Sequence, residues 1–318
     1  MAFSNSTREG DFWAITSYFN PVGYSHRRTN FQHFRQRLNA PLLAVELAYG
    51  PHFELADQDA DILIRLRGHS ILWQKERLLN LALKALPRNC RKVAWLDCDI
   101  IFDAPDWIQS ASTLLDKFTI VHLFSRVDYL AKDRIPGAGD NAGIIEFSRP
   151  SFGSLASSGS NPADCIAGSF DRRAGTSANG FAWAARREIL DRHGFYDTTI
   201  LGGGDTAMAA AVTGCGDTVV KYHYMNKRQQ ERYHTWAKPF SKSARGEIGF
   251  LDGAIFHLWH GNIQHRRART RHEGLQRFQF DPYADIALDA NGCWRWNSEK
   301  PEMHEYIRQY FQSRQEDG

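Results

Sequence analysis

An apolar run that breaks into two carboxylates and then resumes, Lys92-Val-Ala-Trp-Leu-Asp97-Cys98-Asp99-Ile-Ile-Phe102, constrains this chain more than any other segment. Val93, Ala94, Trp95 and Leu96 read as a strand buried on both faces. Such a strand has no room for two unpaired charges, because an ion in a low-dielectric interior is strongly destabilised. The acids must therefore sit where the strand emerges. In open α/β sheets ligands bind outside the carboxyl ends of the strands, and Asp97 and Asp99, one pleat apart, point to the same side there. Two hard oxygen ligands aimed one way suit Mg²⁺ or Mn²⁺ carrying a diphosphate. A strand-end turn with solvated acids has the same composition, so the pair needs support from elsewhere in the chain. Cys98 points to the opposite face of the strand and reads as packing.

The first half alternates strand and helix signals, as βαβ units do. Residues 12–19 form a strand closed by Asn20-Pro21, and Ser25 caps a helix to about Leu38 with Phe31, Phe34 and Leu38 on one face. Residues 42–47 and 61–66 are further strands, and 72–86 is an amphipathic helix closed by Pro87. After the carboxylate strand, Asp106 begins a helix to about Lys117, and 118–124 is a strand. Short right-handed crossovers between such strands give a parallel, doubly wound sheet. From 148 to 177 the rhythm lapses, and the Ser- and Gly-rich residues 151–161 read as a loop. Beyond it, 218–225 and 254–259 read as strands, 264–278 as a polar-basic helix, and Tyr306 to Phe311 as part of a final amphipathic helix.

With 318 residues, 42% hydrophobic and 24% charged, the chain can bury a large core. Its net charge is only +3, and the basic excess is local: twelve Lys/Arg stand against four Asp/Glu between Lys221 and Arg277. That stretch could attract nucleic acid, hold substrate phosphates or be a solvated helix face. The polar residues 1–11 lack the basic and apolar regions of a signal peptide, and no stretch approaches bilayer-spanning length. The five cysteines are scattered and form no Cys-x-x-Cys pair, which fits reduced thiols in a cytoplasmic protein rather than a disulfide frame or zinc site.

Two more constellations follow. Residues 179–190 read as a strand passing into a helix, and Leu201-Gly202-Gly203-Gly204-Asp205 then opens an apolar helix over 206–212. Three glycines let backbone approach a ligand closely, and Asp205 stands at the N-cap. A carboxylate there caps the helix, and with one oxygen free it can take a proton from a bound hydroxyl. Phe256-His257-Leu258-Trp259-His260-Gly261 is again an apolar strand ending in polar groups. A neutral imidazole at such a position can join a metal already held by carboxylates. Period-two reasoning turns His257 and His260 opposite ways, so His260, nearer the strand end, is the better ligand and His257 the alternative.

The order of these three blocks resembles the metal-dependent glycosyltransferases of the GT-A fold, a Rossmann-like, doubly wound, mostly parallel sheet with helices on both faces. The closest type is the inverting one represented by the β-1,4-galactosyltransferases and, more distantly, the polypeptide N-acetylgalactosaminyltransferases. The resemblance covers about 12–267. It implies a catalytic domain over 1–262, with a nucleotide-binding half at about 12–125 and an acceptor half at about 140–262, and leaves a C-terminal helical extension over 263–318. It further implies transfer of a sugar from a nucleotide donor, of the UDP type, to an acceptor hydroxyl. Asp99 and His260 would hold Mn²⁺ or Mg²⁺, with Asp97 touching the ribose or the ion through water. Asp205 matches the base, which would deprotonate the acceptor for in-line attack with inversion. The family's Gly-Gly-Glu-Asp stands here as Gly202-Gly203-Gly204-Asp205, so the acid that helps hold the acceptor sugar is replaced by Gly204. Gly203 and Gly204 would lie on the acceptor side, with Trp183 as a stacking platform. Glu46 could accept the uracil N–H, Lys75 and Asn80 could contact the nucleotide, and Arg266 and Arg267 could close over the diphosphate.

Other readings stay open at this point. A sugar-nucleotide nucleotidyltransferase would show a Gly-rich, Lys/Arg-containing loop where this chain has Tyr18-Phe19-Asn20-Pro21-Val22-Gly23. A nucleic-acid-binding protein using 264–277 would leave Asp97, Asp99 and Asp205 without a role. A non-catalytic GT-A relative is the third. The expected partners are a nucleotide-sugar donor and a hydroxyl acceptor, with no nucleic acid and, at most, peripheral membrane contact.

Overall fold

The computed structural model describes residues 10–137 and 144–318, so the amino-terminal stretch up to residue 9 and the start of the expected acceptor half near 140 lie outside the described residues. The chain opens with β1 (Phe12–Phe19), α1 (Ser25–Arg37), β2 (Leu42–Ala48), β3 (Ile62–Arg67), α2 (Lys75–Ala85) and β4 (Lys92–Leu96). It continues with β5 (Ile100–Phe102), α3 (Trp107–Lys117), β6 (Ile120–His122), β7 (Arg126–Leu130), β8 (Ile145–Pro150), α4 (Phe152–Ser157) and α5 (Pro162–Ser169). Next come β9 (Ala182–Arg186), α6 (Arg187–His193), α7 (Gly204–Val212), α8 (Gly216–Tyr222), α9 (Lys227–Ala244), β10 (Ile248–Phe250) and β11 (Ala254–His257). The chain closes with α10 (Thr270–Leu275), the hairpin β12 (Ile286–Leu288) and β13 (Trp294–Trp296), and α11 (Pro301–Ser313).

The fold is mixed α/β, built on a seven-stranded sheet in the order β10-β6-β9-β4-β1-β2-β3. Its pairs are parallel except those of β9, which runs antiparallel to both β4 and β6. β4 alternates its side chains between two cores, which is why its sequence is apolar without interruption. Val93 and Trp95 face α2 and α6 through Leu78, Leu79, Ile189 and Leu190, while Ala94 and Leu96 face α1 and α3 through Phe31, Phe34 and Leu115. Helices thus cover both faces. A second sheet, β5-β11-β7-β8, follows β4 after only Asp97, Cys98 and Asp99, and equally short links, 123–125 and 251–253, join β6 to β7 and β10 to β11 across the same two sheets.

Several local expectations are corrected. The segment expected as a loop over 151–161 carries α4, because Ser151 accepts a hydrogen bond from Ser154 N at 3.0 Å and so caps that helix. Asn161 likewise caps α5, accepting from Ala163 N at 2.9 Å with Pro162 at the first helical position. Residues 218–225 were expected as strand from their β-branched run, yet Val219 buries one side of helix α8 in the main core, where packing overrides propensity. The expected helix over 264–278 is broken into short pieces by Arg267, whose φ of 45° is left-handed. The 263–318 segment also shares the main core: Met303, Ile307, Tyr310 and Phe311 of α11 join it, and the Phe311 ring stacks on Trp73 at 6.2 Å. All five cysteines are free.

Candidate functional site

Where β1 and β4 end, between the two sheets, a cavity of about 490 Å³ opens, lined by Asp97, Cys98, Asp99, Lys75, Gly203, Asp205, His257 and His260 among others. Cys98, expected only to pack, thus also contributes to the wall. The carboxyl ends of parallel strands meet here, the position at which α/β sheets bind ligands.

On one wall Asp99, His257 and His260 bring their ligand atoms within 4.8 Å of one another. His260 Nε2 lies 3.0 Å from Asp99 Oδ2 and 3.0 Å from His257 Nε2. β11 ends at His257, so residues 258–260 leave the pleat and the two imidazoles converge, against the period-two expectation that they diverge. Burial pushes the Asp99 carboxyl up, but the charge and hydrogen bond of His260, then His257 and Arg266, hold it below the usual carboxylate range. Burial pushes His257 down to about 3, which leaves it neutral. Asp99 Oδ1 is buried, has no hydrogen-bond partner among the described residues and lies 4.0 Å from His257 Nε2. An unpartnered carboxylate oxygen beside two imidazoles is a donor set suited to a divalent transition ion such as Mn²⁺.

Behind His260 sits Glu316, fully buried. Its carboxylate accepts from Arg27 Nε at 2.5 Å, Arg266 Nη1 at 3.0 Å and Arg314 Nε at 2.5 Å, and lies 3.5 Å from His260 Nδ1. Arg266 Nη2 reaches His260 Nδ1 at 2.6 Å, so this arginine braces the histidine ring while lining the cavity. Carboxylates and donors behind a ligating histidine orient its ring.

On the opposite wall Lys75, from the first turn of α2, is the hub. Its ammonium lies 2.5 Å from Asp97 Oδ1 and 2.7 Å from Asp205 Oδ2. Burial opposes its charge, but Asp205 and Asp97 raise its pKa above the ordinary lysine value. Burial pushes Asp97 up to about 6 despite Lys75. Asp97 was expected on the metal or the ribose; its carboxylate instead pairs with Lys75, and His257 stands in the metal cluster. The N-cap of α7 is Gly203, with φ of 98°, and not Asp205, which occupies the first turn with its side chain on Lys75. A Cβ at Gly203 would lie 2.6 Å from the His223 ring, so glycine is required there for both conformation and space. A Cβ at Gly204 would overlap Glu76 Oε1, because this buried acid from α2 fills the space beside the turn. Burial pushes Glu76 up to about 8.

Five expected contacts fall elsewhere. Glu46 is buried and turned from the cavity, accepting from Glu54 N at 2.5 Å and Leu55 N at 3.3 Å, because the chain after β2 folds back over it. Asn80 holds the chain before α7, accepting from Phe195 N at 2.8 Å and donating to Asp197 at 2.9 Å. Trp183 is fully buried in mid-strand, sandwiched by His122 at 3.9 Å and Trp95 at 6.3 Å, so no sugar reaches its face. Gly204 faces Glu76 rather than the cavity, and Arg267 stands outside the lining. Conversely Arg149, Arg172 and Arg271 line the cavity, though nothing in their local sequence marks them. Arg266 and Arg271 are buried and turned inward, which removes them from any outer basic face.

No family model matches this chain, and no curated protein matches it. Solved structures align with it at low similarity. S. aureus TarS 1-349 aligns at 10% identity and TM-score 0.38, over 78% of this chain and 60% of that one. The mannosyltransferase PcManGT from Pyrobaculum calidifontis, solved with GDP-Man and Mn²⁺, aligns at 14% identity and TM-score 0.41, over 84% and 63%. A mycobacterial protein aligns at 14% and 0.42, over 88% and 80%. The chain thus spans about 60% of the TarS fragment it matches. Among the described residues no helix is long and apolar enough to cross a membrane.

Proposed function

We propose that this chain is a glycosyltransferase that moves a sugar from a nucleoside-diphosphate donor, of the UDP type, to an acceptor hydroxyl, with inversion and in dependence on a divalent cation. One observation carries the reading: a single cavity presents an Asp99-His257-His260 cluster on one wall and an Asp205 carboxylate, held by Lys75, on the other. Asp99, His257 and His260 would hold Mn²⁺ or Mg²⁺, whose charge would offset that of the departing diphosphate. Arg266 keeps the His260 ring in place. Asp205 takes the proton of the acceptor hydroxyl as that oxygen attacks the anomeric carbon. Lys75 orients Asp205 for this through their hydrogen bond and joins it to Asp97. Asp97 is then a link between the two walls and not a ligand. The nucleotide half of the site belongs to the β1–β6 region and the acceptor half to the segment from β8 to α7.

The test is a screen of nucleotide sugars for hydrolysis and binding with Mn²⁺ and with chelator. Turnover or binding that requires the cation is expected. If no nucleotide sugar is bound or turned over with any divalent ion, the proposal fails.

A further inference from the structure

The basic side chains of the cavity divide into those that have a carboxylate and those that do not. Lys75 is matched by Asp97 and Asp205, and Arg27, Arg266 and Arg314 share Glu316. Three remain. Among the described residues Arg149, Arg172 and Arg271 have no carboxylate partner, although Arg149 and Arg271 are only 3% and 6% exposed. Arg149 is held by neutral groups, donating to Tyr129 Oη at 3.1 Å and Thr176 O at 3.0 Å. Arg271 donates to Tyr310 Oη at 2.5 Å and to Arg266 O at 3.2 Å. Arg172 makes no hydrogen bond or ion pair among the described residues, and burial with the charges of Arg271, Arg149 and Arg266 holds it down to about 9. The remaining carboxylate of the lining, Glu146, is exposed. Guanidinium groups gathered in a low-dielectric wall without counter-charge are unfavourable in the empty protein, and an anion that enters relieves them.

We infer that this arginine face is a second anion subsite, which takes a phosphate group carried by the acceptor. The inference rests on the glycosyl-transfer reading. Planar guanidinium forks match phosphate oxygens in bidentate fashion; Arg172 offers an unengaged one, while Arg149, whose nitrogens all donate to neutral oxygens, and Arg271 add positive charge beside it. The placement favours the acceptor over the donor. Arg271 Nε lies 3.2 Å from His272 Nε2, His272 stacks on His223 at 4.0 Å, and His223 abuts Gly203, two residues from Asp205. The arc therefore leads to the turn that carries the candidate base. The face also reaches toward the Asp99 cluster, through Arg149 on Tyr129, whose ring lies 5.0 Å from His257, and through Arg271 on Arg266 O, so it spans the floor between the two walls, where a divalent cation would already meet the charge of a donor diphosphate.

Isothermal titration of glycerol 3-phosphate into protein saturated with Mn²⁺ and UDP, or GDP if UDP does not bind, tests this, with glycerol as the uncharged control. Glycerol 3-phosphate is expected to bind with the nucleotide in place, and glycerol not to. Arg172→Gln removes no hydrogen bond or ion pair among the described residues, so it should reduce that affinity at least tenfold while the nucleotide affinity stays within twofold. Arg172→Lys should recover part of the loss. The inference is overturned if glycerol 3-phosphate binds no better than glycerol, if the nucleotide displaces it, or if Arg172→Gln weakens the nucleotide instead, which would place these arginines on the donor. Absence of nucleotide binding in the same titrations would defeat the transfer reading itself, and the acceptor role with it.

Discussion

The Lys75 ammonium lies 2.7 Å from Asp205 Oδ2, so a residue of the helix before the carboxylate strand fixes the candidate base 130 positions later. The same ammonium holds Asp97. Replacing it by Met leaves two carboxylates facing each other without a cation. Removing one partner of a buried ion pair typically destabilises a protein by about 3–5 kcal/mol. Lys75→Met should therefore lower the urea midpoint well beyond the effect of an exposed lysine, and a midpoint within that of surface controls would show that the pair is not structural.

Asp99→Asn and Asp205→Asn should separate the two walls. The first is expected to abolish Mn²⁺ binding, read by electron paramagnetic resonance, because it removes the carboxylate of the cluster. The second should leave Mn²⁺ binding intact and lower transfer by roughly 10²–10⁴-fold, the range of a lost general base. The reverse pattern would exchange the assigned roles.

Glu316→Gln should change the acid stability of the chain. Arg27, His260 and Arg266 hold the folded-state pKa of this acid below its ordinary value, although burial opposes them. Its contribution is present above the unfolded-state value of about 4.3 and is lost as pH falls below that toward the depressed folded value. Urea midpoints between pH 3 and pH 7 should fall steeply at the acid end for the parent chain and less for the variant. Equal slopes would refute the linkage.

Glu76 has the opposite sign. Burial raises its folded-state pKa to about 8, so its contribution is full below about 4.3 and is lost as pH rises through about 8. Glu76→Gln should melt higher than the parent at pH 9 and show little difference at pH 4.

Gly204→Glu restores the acid of the Gly-Gly-Glu-Asp pattern but meets Glu76, whose Oε1 already occupies the space of a Cβ. Overpacking of this kind costs about 1–3 kcal/mol. The variant should be less stable and no more active. A stable variant with raised transfer would show that the α2 acid yields its place.

β1 to β4 and α2 were legible because their signals are local: a continuous apolar run for β4, and one apolar face every third or fourth residue for α2. Asp99 and His260 were legible for the same reason, as polar residues placed where an apolar run must end. The convergence of His257 on His260 was not, because it depends on the chain leaving its pleat one residue after His257. Glu316 pairs with Arg27 across 289 positions, and no spacing rule reaches that far. Glu46 and Trp183 followed sound rules about strand ends and aromatic platforms, but a returning loop covers the first and neighbouring strands enclose the second.

Three connections of three residues each join the two sheets, and the one between β4 and β5 carries both acids. Asp97 is tied by Lys75 to the wall that carries Asp205, and Asp99 by the histidines to the wall that carries β11. Two residues of one short link thus answer to different walls, and the distance between the cluster and the candidate base is held to the span of three residues of backbone and one lysine side chain.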